Sequence, residues 1–274
     1  MPILPSNFLP TIPFRNGHFN TMYRPLFMKG SVNYDRERLY TWDNDFIDLD
    51  FSKVGSKTLA VLIHGLEGNS SSSYITATIK HLNNKYLDAV CFNLRGCSGE
   101  DNNLLATYHS GKTEDVNFVI NHILDKYNYD NIVIIGFSLG GNLTLKYIGE
   151  KGTDLPSEIK GGIACSVPID IASAEKEMDK LKNKLYMEVF FKTMKNKILE
   201  KAHKHPEFQL DKDKLFKATK FKHLEHLYTV PVFGFESPED YWQKASSKPY
   251  ISAINKPTLL INAKDDTFLS KECY

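Results

Sequence analysis

Ile132-Val133-Ile134-Ile135-Gly136-Phe137-Ser138-Leu139-Gly140 is the stretch whose reading decides the fold. Its four β-branched residues make a short, continuously apolar run, the pattern of a strand buried on both faces. Downstream, Leu143, Tyr147 and Ile148 recur at helical spacing. The turn between them reads G-x-S-x-G, a motif that carries chemistry when it joins a buried strand to a helix. Small residues are needed at 136 and 140 because the serine sits on a tight, strained turn where side chains would collide with neighbouring backbone. The hydroxyl of Ser138 is thereby thrust out of the sheet.

Working outward, residues 58–63, 88–92, 161–167 and 257–262 repeat the buried-strand pattern of 131–136. They alternate with helical segments, one of them entered at Thr113 and carrying Val116, Val119, Ile120, Ile123, Leu124 and Tyr127 on one face. The expected fold class is therefore α/β, a mostly parallel sheet flanked by helices. A further strand pair is expected within residues 37–51, where apolar and polar residues alternate loosely. The spacing breaks over residues 168–256, 89 residues that are mainly helical and polar, too many for one crossover. That segment reads as an inserted helical cap, leaving 1–167 and 257–274 as a discontinuous core. Within it Met178, Leu181, Leu185, Val189, Phe190, Met194 and Ile198 mark a helical face. Residues 174–222 hold 14 Lys against 8 acids, an excess that reads either as a solvated face or as a surface for anionic substrates and lipid headgroups.

The chain's 274 residues are 42% hydrophobic and 24% charged, with a net charge of +1, which excludes disorder as the overall state. A pI near 7.7 argues against a dedicated nucleic-acid binder. No apolar run approaches the ~18 residues of a membrane span. Pro2, Pro5, Pro10 and Pro13, with no basic residue before Arg15, do not make a signal peptide. Cys91, Cys97, Cys165 and Cys273 lack metal-type spacing, so reduced thiols and a cytoplasmic location are expected.

A serine hydroxyl is a weak nucleophile, and acyl transfer places negative charge on the former carbonyl oxygen, so two backbone N–H groups must already point there. Leu139 N–H, opening the elbow helix, is one candidate. Leu66 N–H is the other, in the loop His64-Gly65-Leu66-Glu67-Gly68 that follows the strand at 58–63. An acid is expected at a later strand end, where Asp265 and Asp266 follow residues 257–262; either could orient an imidazole, or both could serve the turn. No histidine follows them in the sequence.

Together these blocks resemble the α/β-hydrolase superfamily and, within it, the YheT-like esterases of the AB hydrolase 4 group. The resemblance runs from about Pro13 to Leu269. It is carried by Arg15-Asn16-Gly17-His18-Phe19-Asn20-Thr21, by His64-Gly65-Leu66-Glu67-Gly68-Asn69-Ser70, by Arg95-Gly96-Cys97-Ser98-Gly99-Glu100 and by Tyr108-His109-Ser110-Gly111. The elbow through Asn142 and Asp265-Asp266-Thr267-Phe268 complete it, with Thr267 where the family often has proline. The resemblance implies a carboxylic ester hydrolase without metal or organic cofactor, Ser138 as nucleophile and Asp266 as the triad acid. It also implies a histidine in a G-G-H-type segment beyond the acid, together with a final strand and helix, none of which these 274 residues contain. Two functions follow as expectations: a serine esterase acting on acyl esters whose histidine lies outside this stretch, or an inactive hydrolase-fold protein that binds a ligand or partner.

Overall fold

The computed structural model describes residues 3–28 and 30–274. Seven strands form one sheet: β1 (Asp35–Tyr40), β2 (Phe46–Ser52), β3 (Thr58–Ile63), β4 (Asp88–Asn93), β5 (Asn131–Phe137), β6 (Ile159–Cys165) and β7 (Thr258–Ile261). Their spatial order is β1-β2-β4-β3-β5-β6-β7. β1, β2 and β4 pair antiparallel, and every later pairing is parallel. Helices α1 (Gly17–Phe27), α2 (Ser73–Asn84), α3 (Thr113–Lys126) and α4 (Leu139–Lys151) precede β6. Between β6 and β7 come α5 (Ile171–Met178), α6 (Lys184–Lys204), α7 (Lys212–Lys217), α8 (Phe221–Leu224), a π turn at Glu225–Thr229, α9 (Val230–Phe233) and α10 (Pro238–Ala245).

The central strands are apolar on both sides because both sides are covered. Ile75 and Ile79 of α2 pack on one face with Ala60, Leu62 and Cys91. On the other, α3 and α4 bring Val116, Ile120, Leu143 and Tyr147 against Leu59, Val61, Ile63 and Ile134. The loose alternation of the first strands also has a cause. Asp48 and Asp50 of β2 are buried yet paired, with Arg38 Nε at 2.8 Å and Arg36 Nε at 2.7 Å across the hairpin.

β7 departs from the expectation of burial on both faces: Leu259 and Ile261 are 43% and 49% exposed. Among the described residues β7 pairs with β6 alone, which makes it an edge strand, and the sheet face to which Leu259 and Ile261 point is left uncovered. The segment 168–256 is mainly helical, but it does not behave as one layer. Its last part returns to the sheet: Asn142 of α4 donates through Nδ2 to Ala245 O at 2.8 Å and accepts Ser247 N–H at 2.8 Å, and a Cβ at Gly149 would meet Tyr250 O at 2.4 Å. Burial of the Asn142 amide explains this docking, since its buried donor and acceptor need partners and find them in the chain around α10 and in Ser110 O, 2.9 Å from Nδ2.

Arg95, after β4, is almost wholly buried and holds three elements at once. It bonds both oxygens of Asp115 on α3 at 2.8 Å, Asp43 at 2.9 Å and Asp45 at 3.2 Å in the β1–β2 turn. Asp115 therefore serves this pair rather than simply the dipole of its helix. Removing one partner of a buried ion pair strands the other charge in low dielectric, at about 3–5 kcal/mol. Arg95→Met should lower the unfolding free energy by that order, read as a fall in the urea midpoint with little change in slope.

Candidate active site

Ser138 joins β5 to α4 with φ 52° and ψ −117°, a conformation that a non-glycine residue holds only when its surroundings impose it. The imposition comes from the two flanking glycines. A Cβ on Gly136 would lie 2.1 Å from Gly140 O, and one on Gly140 would lie 2.2 Å from Ile63 O, so α4 presses directly on the ends of β5 and β3. Ser138 N–H donates to Cys165 O at 2.8 Å, tying the turn to β6.

The loop after β3 lies against this serine: a Cβ on Gly65 would stand 3.2 Å from Ser138 Cβ. Three of the loop's amides are already used. Gly65 N–H donates to Tyr74 Oη at 3.0 Å, Glu67 N–H to Tyr108 Oη at 3.0 Å, and Gly68 N–H to Gly65 O at 3.0 Å. Leu66 N–H has no hydrogen-bond acceptor among the described residues. Leu139, the first residue of α4, has no carbonyl one turn back within the helix for its own N–H.

His64 supports the loop from beneath. It is fully buried, its Nδ1 lies 2.8 Å from Gly65 O, and its Nε2 accepts Leu94 N–H at 3.1 Å. A carbonyl partner on one nitrogen and an amide partner on the other fix the neutral Nδ1–H tautomer. Burial agrees, lowering the ring's pKa to about 4. His109 is similarly committed: Nδ1 accepts Gly111 N–H at 3.1 Å, the rings of Phe233, Phe235 and Tyr241 surround it, and burial lowers its pKa to about 3.

The turn after β7 separates its two carboxylates. Asp265 is exposed, whereas Asp266 is half-buried, accepts Phe268 N–H at 3.0 Å and is bonded by Ser166. Burial raises the pKa of Asp266, and those two hydrogen bonds work against the rise. Ser138, Leu66, Leu139, Asp265 and Asp266 all line one cavity of about 600 Å³. The structure thus brings the sequence candidates to one place. Among the described residues no histidine is hydrogen-bonded to Ser138 or Asp266.

The cavity wall also holds groups that sequence reasoning left unassigned. Glu67, at φ 56°, takes a hydrogen bond from Tyr108 Oη at 2.7 Å and pairs with Lys197 Nζ of α6 at 2.9 Å. Both Glu67 and Tyr108 sat inside quoted motifs, but nothing in the sequence brought Lys197 to them. Lys201 is likewise turned inward, donating to Asn102 O at 2.6 Å and Leu104 O at 2.7 Å. The basic stretch is therefore not wholly an outer face: two of its lysines reach buried acceptors. Glu175 and Glu225 are buried side by side with Trp242 Nε1 donating to Glu225 at 2.8 Å. Burial first, then mutual charge, pushes Glu175 well above the ordinary carboxylate range, and burial raises Glu225 as well. A separation of 50 positions in the sequence gave no sign of that contact.

With this geometry in place, the comparisons define the class: the chain belongs to the alpha/beta hydrolase fold family, whose sequence model matches residues 60–272. Among individual relatives, it is 29% identical over 274 residues to Escherichia coli (strain K12) YheT, covering 97% of this chain and 80% of that one. It is also 29% identical to human phospholipase ABHD3 over 279 residues, covering 97% of this chain and 67% of the relative. A yeast (Saccharomyces cerevisiae) monoacylglycerol lipase is 27% identical over 77% of this chain and 48% of its own length. The Pyrococcus furiosus esterase Pf2001 superposes with a TM-score of 0.56 at 19% identity, over 88% of this chain and 74% of that one, which supports the fold.

The His64 ring supplies a prediction. Its pKa in the folded chain lies below the 6.5 of an unfolded one, so on acidification the unfolded state takes the proton first. This contribution to stability is complete above pH 6.5, declines as the pH falls toward about 4, and then levels off. The loss should amount to about 3 kcal/mol. Imidazole nitrogen shifts should report the Nδ1–H tautomer until the pH nears about 4, and His64→Gln should flatten the pH dependence of urea unfolding over that window.

Proposed function

We propose that the protein is a serine carboxylic ester hydrolase acting on acyl esters of lipid type. The observation that carries this reading is Ser138 itself, held in a strained backbone at the head of α4, 3.2 Å from a Cβ position on the loop that bears the uncommitted Leu66 amide. In the proposed mechanism Ser138 Oγ attacks the ester carbonyl carbon while an imidazole takes its proton. Leu66 and Leu139 N–H groups hold the oxyanion, and Asp266 orients the imidazole. Collapse expels the alcohol with the proton from the imidazole, and water then cleaves the acyl-serine by the same path in reverse. No metal or organic cofactor is needed for any of these steps.

In this reading the imidazole comes from outside the 274 residues, because among the described residues no histidine is hydrogen-bonded to Ser138 or Asp266, and both ring nitrogens of His64 are taken by Gly65 O and Leu94 N–H. Residues 168–256 act as the cap, with the final turns from α10 onward docked on the core formed by 1–167 and 257–274. Phe190, Met194, Leu224 and Tyr228 give the cavity the apolar wall that an acyl chain requires. Relatives named as a phospholipase and a monoacylglycerol lipase support a lipid ester as the substrate class. Cys91, Cys97, Cys165 and Cys273 are all free, which suits action in the cytoplasm.

The missing hydrogen bond to Ser138 favours one alternative, a hydrolase fold that binds a ligand without turning it over. A chain extended beyond Tyr274 decides between them. If the esterase reading holds, it should hydrolyse p-nitrophenyl butyrate and take up a fluorophosphonate on Ser138, with both lost in Ser138→Ala. Asp266→Asn should lower kcat by about 10⁴, the cost of a misoriented imidazole, while Asp265→Asn should have a far smaller effect. An extended chain that binds acyl esters without cleaving them would establish the alternative.

A further inference from the structure

The helix α6 is apolar on two sides, and only one of them is covered. Met187, Phe191 and Ile198 are buried against α7, α8 and the π turn. Phe190 and Met194 line the cavity that contains Ser138. Yet Leu181, just before the helix, and Leu185 and Val189 within it are 88%, 76% and 67% exposed. Leu185 and Val189, four apart, lie in one stripe along the helix, and Leu181 precedes them on the 3-10 turn Leu181–Asn183. A stripe of large aliphatic side chains in water is a surface awaiting a partner.

The stripe is bordered by positive charge. Between α6 and α7 lies a second cavity of about 580 Å³, lined by Lys180, Lys184, Lys192, Lys195, Lys220 and the exposed ring of Phe216. Two acids share that lining, Asp179 and Glu188, and they are spent on Lys220 at 3.0 Å and Lys184 at 4.0 Å. Lys192 has no carboxylate partner among the described residues, and Lys195 reaches only the backbone oxygen of Phe216. The rim therefore keeps an excess of cationic heads on long apolar stems.

We propose that this face of α6 docks the protein on an anionic lipid bilayer. Leu181, Leu185, Val189 and Phe216 enter the boundary between headgroups and acyl chains, and the lysines of the rim meet the phosphates. The combination selects this occupant. A second copy of the chain would set lysine rim against lysine rim, and a nucleic acid would leave the aliphatic stripe in water. The location also fits: α6 carries the exposed stripe on one side and lines the Ser138 cavity with Phe190 and Met194 on another, so docking by this helix sets the cavity wall beside the bilayer. α1 touches α6 through His18 Nδ1, 3.0 Å from Tyr186 Oη, and the chain leading into α1 exposes Ile3, Leu4, Phe8 and Leu9.

The inference deepens the lipid-ester reading, but its test does not depend on turnover. The protein is sedimented with vesicles of pure phosphatidylcholine and with vesicles of phosphatidylcholine mixed with phosphatidylglycerol, at low and high salt. Binding is expected to the mixed vesicles and to weaken with salt. The double variant Leu185→Glu, Val189→Glu should bind about tenfold more weakly or worse, since it removes apolar insertion and adds repelled charge. Lys184→Ser with Lys192→Ser should reduce binding to anionic vesicles and leave the weak binding to neutral ones unchanged. Because all four positions are at the surface, unchanged thermal melting should confirm that each variant is folded. Equal vesicle binding by parent and glutamate variant, or no binding to anionic vesicles, would overturn the proposal. So would a dimer on gel filtration that the glutamate variant dissociates, which would assign the stripe to a second copy. Fluorophosphonate labelling of Ser138 without vesicles, measured in the extended chain, keeps the two readings apart: labelling without docking refutes only this inference, and docking without labelling refutes only the hydrolase.

Discussion

The approach of α4 to the end of β3 is the contact around which the rest of the site is arranged. Gly140 comes so near Ile63 that a single methyl group would stand 2.2 Å from its carbonyl oxygen, and that closeness forces Ser138 into its left-handed backbone. Because α4 lies so deep, every residue from Leu139 to Gly149 is buried, and its polar side chains other than Tyr147, whose Oη has no hydrogen-bond partner among the described residues, find partners inside the protein. Asn142 does so by holding Ala245 and Ser247, and Thr144 by returning a bond to Gly140 O. The elbow thus determines both the exposure of the serine and the docking of the chain that follows α10.

Around that contact, the loops are held by charge rather than by apolar packing. Arg95 fixes the loop after β4 to α3 and the first hairpin, Lys201 fastens residues 102 and 104, and Lys197 reaches down to Glu67 beside the serine. Such pairs contribute little net stability compared with apolar replacements, but each sets a backbone position within a narrow range. For the hydrolase proposed above, that is what a site built on loops needs, because its amides must already point at a developing charge before the reaction begins. Glu67 shows the logic at one residue. Its positive φ places the side chain between Tyr108 and Lys197, and the same turn of backbone leaves the amide of Leu66 without an acceptor.

How much of this could be read from the sequence depended on range. The strands were legible because a strand covered on both faces must be apolar at successive positions, and Leu59 to Ile63 and Ile132 to Ile135 show that with no outside information. The elbow was legible because its steric demand falls on residues two apart from Ser138. β7 was only half legible: Thr258 to Ile261 has the composition of a central strand, and composition does not say which strands pair on both edges. The glutamate pair and the inward lysines were not legible at all. Glu175 meets Glu225, and Lys201 meets Asn102, across 50 and 99 residues, and a charged residue on a helix looks the same in sequence whether it ends in water or against a buried carbonyl.

The same ambiguity explains α6. Its lysines and aliphatic residues are interleaved, so a single amphipathic face marked by Leu181, Leu185 and Val189 together with Phe190 and Ile198 was a reasonable reading of the sequence. The structure divides that set, placing Phe190 at the cavity and Ile198 in the interior while Leu181, Leu185 and Val189 remain outside. A helix of 3.6 residues per turn rotates about 100° at each step, so Val189 and its neighbour Phe190 already face different surroundings. Two apolar faces on one helix cannot both be satisfied by a single core. One of them fills the wall of the cavity that holds Ser138, and the other is left to whatever surface the protein meets.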